Sequence, residues 1–288
     1  MHILLLGKIG QLGWELHRCL LPLGKVQALD YPEIDLARPE SLREVIRTSA
    51  PDVIVNATAY TAVDKAESEH DLASTINAAA PAMIAEESKK IGAVLIHYST
   101  DYVFDGKKGT PYVETDMPNP LNVYGASKLA GEQAVQAAGG AYLILRTAWV
   151  YSLRRDSFVT KVLQWGRQNE TLRIVDDQIS NPTWARMLAE ITGLILARGI
   201  GHTKERKGLY HLAGDGFASR LQWAKQILEL DPNRYEQRVK EILPASTSEF
   251  PTPAQRPLFS ALNCELFSKS FELQMPVWQD ALARAVAN

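Results

Sequence analysis

The sequence has little cysteine and no marked excess of charge. Cys19 and Cys264 are the two cysteines among 288 residues, and neither lies in a spacing typical of metal ligands. Two thiols far apart in the chain fit a reducing compartment, so a cytoplasmic location is expected. The formal net charge of −2 provides no general attraction to nucleic acid or to an anionic membrane, and neither is expected as a partner.

Long apolar runs, repeats and low-complexity tracts are also absent. The first residues, MHILLLG, carry no basic stretch, and their apolar run is too short for a signal peptide or a membrane span. Apolar residues make up 46% of the chain and charged residues 22%, which is typical of a globular protein. This length accommodates one large α/β domain, or one domain with a smaller lobe.

A short apolar strand, predicted at 2–6, leads into a glycine-rich turn and then a helical pattern. Gly7, Gly10 and Gly13 are spaced G-x-x-G-x-x-G. Such a turn lets the backbone approach a pyrophosphate, to which the helix N-terminus offers unpaired N–H groups, although a plain turn is the alternative. Asp30 closes the next predicted strand, where its carboxylate either accepts hydrogen bonds from an adenosine ribose or simply ends a turn.

Strands and helices then alternate along the chain. Strands are predicted at 26–29, 52–56, 93–98 and 141–146, and small or polar residues follow most of them. This alternation predicts a doubly wound parallel sheet with ligands at the carboxyl ends of its strands. The pattern continues with strands at 172–175 and 209–212 and helices at 157–168, 187–197 and 219–230, whereas 200–207 is expected to be an exposed basic loop.

Tyr124 and Lys128 lie four residues apart in NVYGASKLAGE, a segment predicted to be helical. Residues i and i+4 share one helix face, so the phenol and the ammonium point the same way. A nearby cation lowers a tyrosine pKa, which makes Tyr124 a candidate proton donor to a substrate oxygen. The same spacing also arises by chance on exposed helices. Thr100, after the strand at 93–98, offers a hydroxyl to the same oxygen or merely caps a turn.

Together, GKIGQLG, Asp30, STDYVF and Tyr124-x-x-x-Lys128 resemble the extended short-chain dehydrogenase/reductase family. Closer similarity to its members that reduce dTDP-linked 4-keto-6-deoxy sugars extends over nearly the whole chain, including PLNVYGASKLAGE (120–132) and FPTPAQRP (250–257). The resemblance implies an α/β fold: a Rossmann-type doubly wound parallel sheet with a smaller C-terminal substrate-binding lobe. It implies residues 1–150 for the NAD(P)-binding domain, with the sheet continuing to about 212, and mainly 151–288 for the interleaved lobe.

The resemblance further implies that NADPH or NADH donates hydride to C4 of dTDP-4-dehydro-L-rhamnose. The family's catalytic positions match Thr100, Tyr124 and Lys128. Its cofactor positions match Gly7, Gly10, Gln11, Leu12, Asp30, Ala59, Tyr124 and Lys128. Its nucleotide-sugar positions match Val63, Asp101, Trp149 and Arg256. From residue chemistry alone, Arg256 suits a diphosphate or a surface ion pair equally, and Trp149 suits a ligand or a buried core.

Some relatives form a homodimer around Mg²⁺ held by glutamates. Glu15 and Glu190 match two of these positions, but the third falls near the neutral Asn288. Because Mg²⁺ prefers several carboxylates, no metal is predicted, and a homodimer is left open.

Three other functions compete with this hypothesis. A 4,6-dehydratase on the same fold needs an acid pair after the threonine, but Asp101 and Tyr102 follow Thr100. A reductase or epimerase of another nucleotide-linked 4-keto sugar stays open, because pocket shape determines the choice of sugar. A non-catalytic, cofactor-binding regulatory subunit is disfavoured because Thr100, Tyr124 and Lys128 are all present.

Overall fold

The structure, a computed structural model, describes residues 1–287. Its strands are, in chain order, β1 (His2–Leu6), β2 (Lys25–Leu29), β3 (Val53–Asn56), β4 (Val94–Thr100), β5 (Ala141–Thr147), β6 (Val150–Tyr151), β7 (Thr171–Val175), β8 (Ile179–Ser180), β9 (Thr183–Trp184), β10 (Gly208–His211), β11 (Ala218–Ser219) and β12 (Glu241–Ala245).

The helices are α1 (Gln11–Leu20), α2 (Glu40–Ser49), α3 (Val63–Ala66), α4 (His70–Ser74), α5 (Ala80–Ile91), α6 (Val123–Ala138), α7 (Phe158–Gln168), α8 (Ala185–Ala197), α9 (Ile200–Glu205), α10 (Arg220–Glu229), α11 (Glu265–Phe271) and α12 (Trp278–Val286). Across the described part of the chain, no helix combines the length and the apolar character that crossing a membrane requires.

Six strands form a central parallel sheet in the order β10-β5-β4-β3-β1-β2. In register, Ile3 of β1 lies between Val26 of β2 and Val53 of β3. The chain therefore leaves β1 toward one edge and returns to build toward the other, which opens a crevice at the carboxyl ends of the strands. The predicted doubly wound parallel sheet is confirmed.

The sheet is buried on both faces because helices cover each of them. Ile3 and Leu5 belong to a core shared with α1, α8 and α11. Leu4 and Leu6 belong to the opposite core, shared with α2, α5 and α6. Strands buried on both faces are apolar at consecutive positions, which explains the continuous run at the start of the chain.

A separate core holds the C-terminal lobe together. Val162 of α7, Trp223 of α10 and Leu282 of α12 are buried in it. Strand β7, expected to continue the main sheet, instead pairs with β12 in a two-stranded sheet, because α7 carries the chain into the lobe. Since β10 returns to the central sheet from within residues 151–288, the division of the chain into two domains remains a prediction.

The prediction of an exposed basic loop at 200–207 is wrong in part. Residues Ile200–Glu205 form helix α9, and Thr203 is buried. Gly199 adopts a φ of 97°, a left-handed conformation that favours glycine, and its carbonyl accepts the Thr203 N–H. The glycine therefore ends one helix and starts the next, rather than marking an irregular loop.

Candidate active site

A cleft of about 770 Å³ lies at the carboxyl ends of the central strands. The structure brings to it all eight residues that the resemblance assigned to the cofactor. These are Gly7, Gly10, Gln11, Leu12, Asp30, Ala59, Tyr124 and Lys128. Asp35 and Leu36, which follow β2, also line the cleft. Parallel strands end at one edge of a sheet, and this is why residues so distant in sequence meet.

Two glycines make the close approach of α1 to β1 feasible. Gly7 has a φ of 93°, and a Cβ there would lie 3.0 Å from the Ala57 backbone. A Cβ on Gly13 would lie only 1.8 Å from the Gly7 carbonyl oxygen. The turn therefore brings the N-terminus of α1, with its unpaired N–H groups, to the cleft.

The carboxylate of Asp30 is engaged by the backbone of the glycine-rich turn. Its Oδ2 accepts a hydrogen bond from Ile9 N at 2.9 Å, and its Oδ1 accepts one from Tyr31 N at 2.8 Å. Lys8, in the same turn, forms an ion pair with Glu33 at 2.6 Å. Asp30 and Asp35 both line this part of the cleft, which is therefore acidic.

Tyr124 and Lys128 line the cleft together, and Thr100 lies just behind its lining. Thr100 ends β4, and its hydroxyl acts to lower the pKa of the Tyr124 phenol. Tyr124 lies in the first turn of α6, which Asn122 caps by accepting a hydrogen bond from Gly125 N at 2.8 Å. Lys128, only 2% exposed, donates to the Tyr98 carbonyl oxygen at 2.6 Å.

The electrostatics of this cluster differ from the expectation. Burial raises the pKa of Tyr124, against the hydrogen bond with Thr100, which acts to lower it. Burial also lowers the pKa of Lys128 to about 8, against the opposing charge of Glu132. The predicted lowering of the Tyr124 pKa by Lys128 is therefore not found, because the Lys128 ammonium is held by a backbone carbonyl.

The turn that follows α4 packs against α6 and holds it in position. Residues Thr75–Ala79 form a π-helical turn, a conformation that is frequent near functional sites. Within it, the buried Asn77 donates to Ser127 Oγ at 3.0 Å and bonds both backbone groups of Tyr60. A Cβ on Gly131 would lie 2.1 Å from the Asn77 carbonyl oxygen, so α6 packs directly on this turn.

A second cavity, of about 720 Å³, adjoins the cleft, and Val150 lines both. Its wall combines aromatic with cationic side chains, namely Trp149, Phe158, Trp165, Trp223, Phe250, Lys161, Arg173, Arg220 and Arg256. Of the four residues assigned to the nucleotide-sugar, Trp149 and Arg256 line this cavity, whereas Val63 and Asp101 lie outside the lining of both.

Trp149 has its ring in contact with groups on the cavity wall. It stacks on Trp223 with ring centroids 5.4 Å apart, and the Arg220 guanidinium carbon lies 3.6 Å from the centre of its ring. Its backbone φ of 40° is unusual for a residue with a bulky side chain. Backbone strain of this kind clusters at ligand-binding sites, which sets Trp149 apart from an ordinary core tryptophan.

Arg256 is paired with the carboxylate of Asp64 in α3. Its Nη1 and Nη2 donate to the two oxygens of Asp64 at 3.0 and 2.7 Å. Burial acts to lower the pKa of Arg256, but the hydrogen bonds and charge of Asp64 outweigh it, so the pKa is raised. The Tyr102 side chain interacts electrostatically with Arg256 and Arg220, and the Tyr102 ring packs edge-on against Tyr124, with ring centroids 5.8 Å apart.

Asp101 is 3% exposed and serves as a buried acceptor of hydroxyl groups. Its Oδ2 accepts from Ser260 at 2.5 Å and from Ser180 at 3.0 Å, and its Oδ1 accepts from Thr100 at 3.2 Å. Burial raises its pKa to about 6, although these hydroxyls act to lower it. In this arrangement Asp101 orients Thr100, and its predicted contact with substrate stays a prediction.

Comparison with known proteins identifies one family over the whole length of the chain. The family described as the RmlD substrate binding domain matches residues 1–288. The dTDP-4-dehydrorhamnose reductase of Burkholderia thailandensis is 42% identical, covering 99% of this chain and 98% of its own length. This chain belongs to the RmlD family of dTDP-4-dehydrorhamnose reductases.

Solved structures of this reductase family agree with the fold. The enzyme of Clostridium acetobutylicum superposes with a TM-score of 0.91 at 33% identity, covering 100% of this chain and 99% of that one. The enzyme of Bacillus anthracis, solved in complex with NADP, gives a TM-score of 0.90 at 34% identity, with 99% and 98% covered. The resemblance drawn from the sequence motifs is confirmed.

The glutamates matched to a metal in some reductases lie on the packed pair α1 and α8. Glu15 is buried and 3.4 Å from Arg186 Nε, and burial together with Glu15 raises the pKa of Glu190. Within residues 1–287, no group of three or more acidic, histidine or cysteine side chains is arranged to hold a metal ion. The third matched position, Asn288, lies outside the described residues.

Four residues of the reductase site were missed by motif reasoning. Arg220 and Tyr102 connect the second cavity to Tyr124, and Thr147, like the neighbouring Ser99, places a buried hydroxyl in the cofactor cleft. Ser99 and Tyr102 stand inside the STDYVF motif, so their position next to Thr100 was the available signal. Arg220 carried no such signal, because its segment contains no motif.

Proposed function

We propose that this protein reduces the C4 keto group of dTDP-4-dehydro-L-rhamnose to give dTDP-L-rhamnose, with NADPH or NADH as reductant. The observation that carries the proposal is the pair of adjoining cavities, which share Val150, with the candidate catalytic residues Tyr124 and Lys128 on the lining of the first. The Tyr102 ring packs against Tyr124, and its side chain interacts electrostatically with Arg220 and Arg256 on the lining of the second. We assign the first cavity to the nucleotide cofactor and the second to the nucleotide-sugar.

The cleft fits a nicotinamide dinucleotide. The glycine-rich turn and the α1 N-terminus suit its pyrophosphate, and Asp30 suits its adenosine ribose. At the other end, the hydroxyls of Ser99 and Thr147 are buried without a hydrogen-bond partner within the described chain, and both residues line the cleft. A buried hydroxyl without a partner is costly, so these two groups fit the polar edge of a bound nicotinamide.

When bound, the nicotinamide supplies the hydride that C4 of the sugar receives. Tyr124 holds the proton for the keto oxygen, since burial keeps its phenol protonated at neutral pH. Thr100 is assigned a second hydrogen bond to that oxygen, for which its hydroxyl turns its single proton away from Asp101 Oδ1 and stabilises the negative charge that develops there. Lys128, charged at neutral pH, is assigned to the cofactor ribose, with its ammonium oriented by the Tyr98 carbonyl.

The second cavity fits the dTDP part of the substrate. Arg220 and Arg256 place two guanidiniums on its wall, and a guanidinium matches diphosphate oxygens in charge and geometry. The aromatic rings of Phe158, Trp165 and Phe250 offer apolar faces to a pyrimidine. Another dTDP-linked 4-keto sugar remains an alternative substrate, because these contacts recognise the nucleotide rather than the sugar.

We further propose a cytoplasmic location, supported by two free thiols, Cys19 and Cys264, which suit a reducing compartment. A homodimer stays a prediction from family resemblance. Gel filtration with and without a chelator tests it, and a monomeric elution volume in both conditions would contradict it.

The decisive experiment follows the oxidation of NADPH with purified dTDP-4-dehydro-L-rhamnose, and identifies the sugar product by NMR. Wild type should turn over, while Tyr124→Phe should lose about 10²- to 10⁴-fold in kcat, the usual contribution of a positioned acid. The Kd for NADPH should rise by no more than about tenfold, because one neutral hydrogen bond contributes about 0.5–1.5 kcal/mol. Absence of turnover by wild type refutes the substrate, and full activity of Tyr124→Phe refutes the proton donor.

A further inference from the structure

The loop that lines one side of the second cavity is tied to two different parts of the molecule. Residues 247–256, here called the strap, place Thr247, Phe250, Thr252 and Arg256 on the cavity wall. At its beginning, Thr247 hydrogen-bonds the carboxylate of Asp177 through both N and Oγ1, at 3.0 and 2.6 Å. This end of the strap therefore belongs to the C-terminal lobe.

The other end of the strap is held by the Rossmann-type sheet domain. Asp64, in the first turn of α3, accepts two hydrogen bonds from Arg256 and one from Ala254 N at 3.3 Å. Ala254 is 1% exposed, so this end of the strap is packed rather than loosely attached. The strap thus bridges the two sides of the cavity.

Asn122 links this end of the strap to the catalytic helix. Its Oδ1 accepts Gly125 N at 2.8 Å, which caps α6 one residue after Tyr124. Its Nδ2 donates to the Gln255 carbonyl oxygen at 2.7 Å, next to Arg256. Asn122 is 6% exposed, and its amide uses both of its ends, so one side chain joins the first turn of α6 to the strap.

We propose that Asn122 and Asp64 are positioning residues that fix the strap, and with it Arg256, relative to Tyr124. This inference rests on the proposed function, because the strap is assigned to the diphosphate of the nucleotide-sugar. The physical reason is preorganisation. A strap already ordered in the free protein loses little freedom on binding, whereas a released strap must be ordered by the substrate.

The variant that separates the two functions of Asn122 is Asn122→Asp. A carboxylate still caps the helix by accepting Gly125 N, but it cannot donate to Gln255 O and repels it. Asp64→Ala releases Arg256 and the Ala254 amide from the other contact. Gln255→Ala is the matched control, because it removes an exposed side chain and keeps the carbonyl that Asn122 contacts.

Hydrogen exchange on the free protein measures the strap directly. We expect faster amide exchange in residues 250–256 of Asn122→Asp and Asp64→Ala, with α6 unchanged in Asn122→Asp and the whole protein unchanged in Gln255→Ala. Unchanged exchange of the strap in both variants would overturn the proposal. Because this measurement uses no ligand, it tests the contact even if the assigned substrate is wrong.

Binding and kinetics then measure the consequence. The Kd for dTDP and the KM for the nucleotide-sugar should rise about tenfold in Asn122→Asp, the effect of one hydrogen bond in the upper part of its usual range. The Kd for NADPH should not change. If Asn122→Asp loses only kcat or only NADPH binding, Asn122 serves helix capping alone, and the proposal is overturned. The proposal is also overturned if Asp64→Ala binds dTDP more tightly, because Asp64 then competes with the diphosphate for Arg256. If wild type binds no dTDP, the proposed substrate fails while the exchange result still decides the contact.

Discussion

Replacing Arg220 with methionine should stabilise the protein and weaken its binding of dTDP. Arg220 forms no ion pair within residues 1–287, and its guanidinium lies over the rings of Trp149 and Phe158. Burial lowers its pKa from 12.5 to about 10. A desolvated cation of this kind lowers the stability of the folded protein, and a negatively charged ligand compensates for this cost when it binds.

The magnitude follows from that pKa. Lowering it from 12.5 to about 10 means that folding disfavours the charged guanidinium by about 3 kcal/mol. Contact of the guanidinium with the Trp149 ring stabilises the folded protein by about 1–2 kcal/mol. Arg220→Met should therefore gain about 1–2 kcal/mol, which raises Tm by about 2–5 °C in a chain of this size. Loss of a charged hydrogen bond to the diphosphate should weaken dTDP binding by about 10- to 150-fold.

Differential scanning fluorimetry and isothermal titration calorimetry with dTDP measure the two effects. Arg173→Met is the matched control, since Arg173 lines the same cavity but is 51% exposed and paired with Glu249. Its removal should leave Tm unchanged and the Kd for dTDP within about threefold, as expected of an exposed ion pair.

The opposite result would refute this reasoning. If Arg220→Met lowers Tm and leaves dTDP affinity unchanged, Arg220 is a structural residue whose stacking on Trp149 outweighs its desolvation. If both arginine variants weaken dTDP equally, the effect is one of general charge in the cavity, and Arg220 has no particular position toward the diphosphate. Salt titration separates these cases further, because a general charge effect is screened more strongly.

Two further predictions concern the cofactor cleft. Gly13→Ala should unfold at a lower temperature than Gly10→Ala, because a Cβ at Gly13 meets a backbone carbonyl oxygen at 1.8 Å and one at Gly10 meets the same oxygen at 3.4 Å; equal Tm values would contradict this packing. NADPH affinity should fall as pH rises through about 8, where Lys128 loses its charge; calorimetry across this range should show no such dependence in Lys128→Met, and a matching fall in the variant would exclude Lys128 as its source.

The elements that carry the cofactor cleft could be predicted from the sequence because their signals are local. An apolar run followed by Gly7 and Gly10 defines the first strand and turn, and strand ends in a parallel sheet meet at one edge. The catalytic helix begins at Val123, where Asn122 provides the cap that its residue type favours. The prediction that Thr100 lies near Tyr124 follows from this common edge and from the family resemblance.

The family resemblance identified Trp149 and Arg256, but the other residues of the second cavity and the contacts of Arg256 could not be predicted, because their partners are remote in sequence. Asp64 and Arg256 are separated by 192 positions, and their contact depends on how the lobe packs against α3. Arg220 stands in a segment whose pattern indicates only an amphipathic helix. Burial of Asp101 likewise depends on Ser180 in β8 and on Ser260, which is distant from it in sequence. Such contacts arise from packing, and no spacing along the chain encodes them.

The electrostatic argument for Tyr124 and Lys128 illustrates the same difference. Helical spacing correctly places both side chains in one cleft, but burial disfavours each charged form, so the pKa of Tyr124 rises and that of Lys128 falls. The side chain that acts to lower the Tyr124 pKa is Thr100, through its hydrogen bond. Because Asp101 accepts from the Thr100 hydroxyl and Ser260 donates to Asp101, the orientation of Thr100 depends on the C-terminal lobe. Proton transfer at Tyr124 is therefore linked to the packing of that lobe as well as to the helix that carries it.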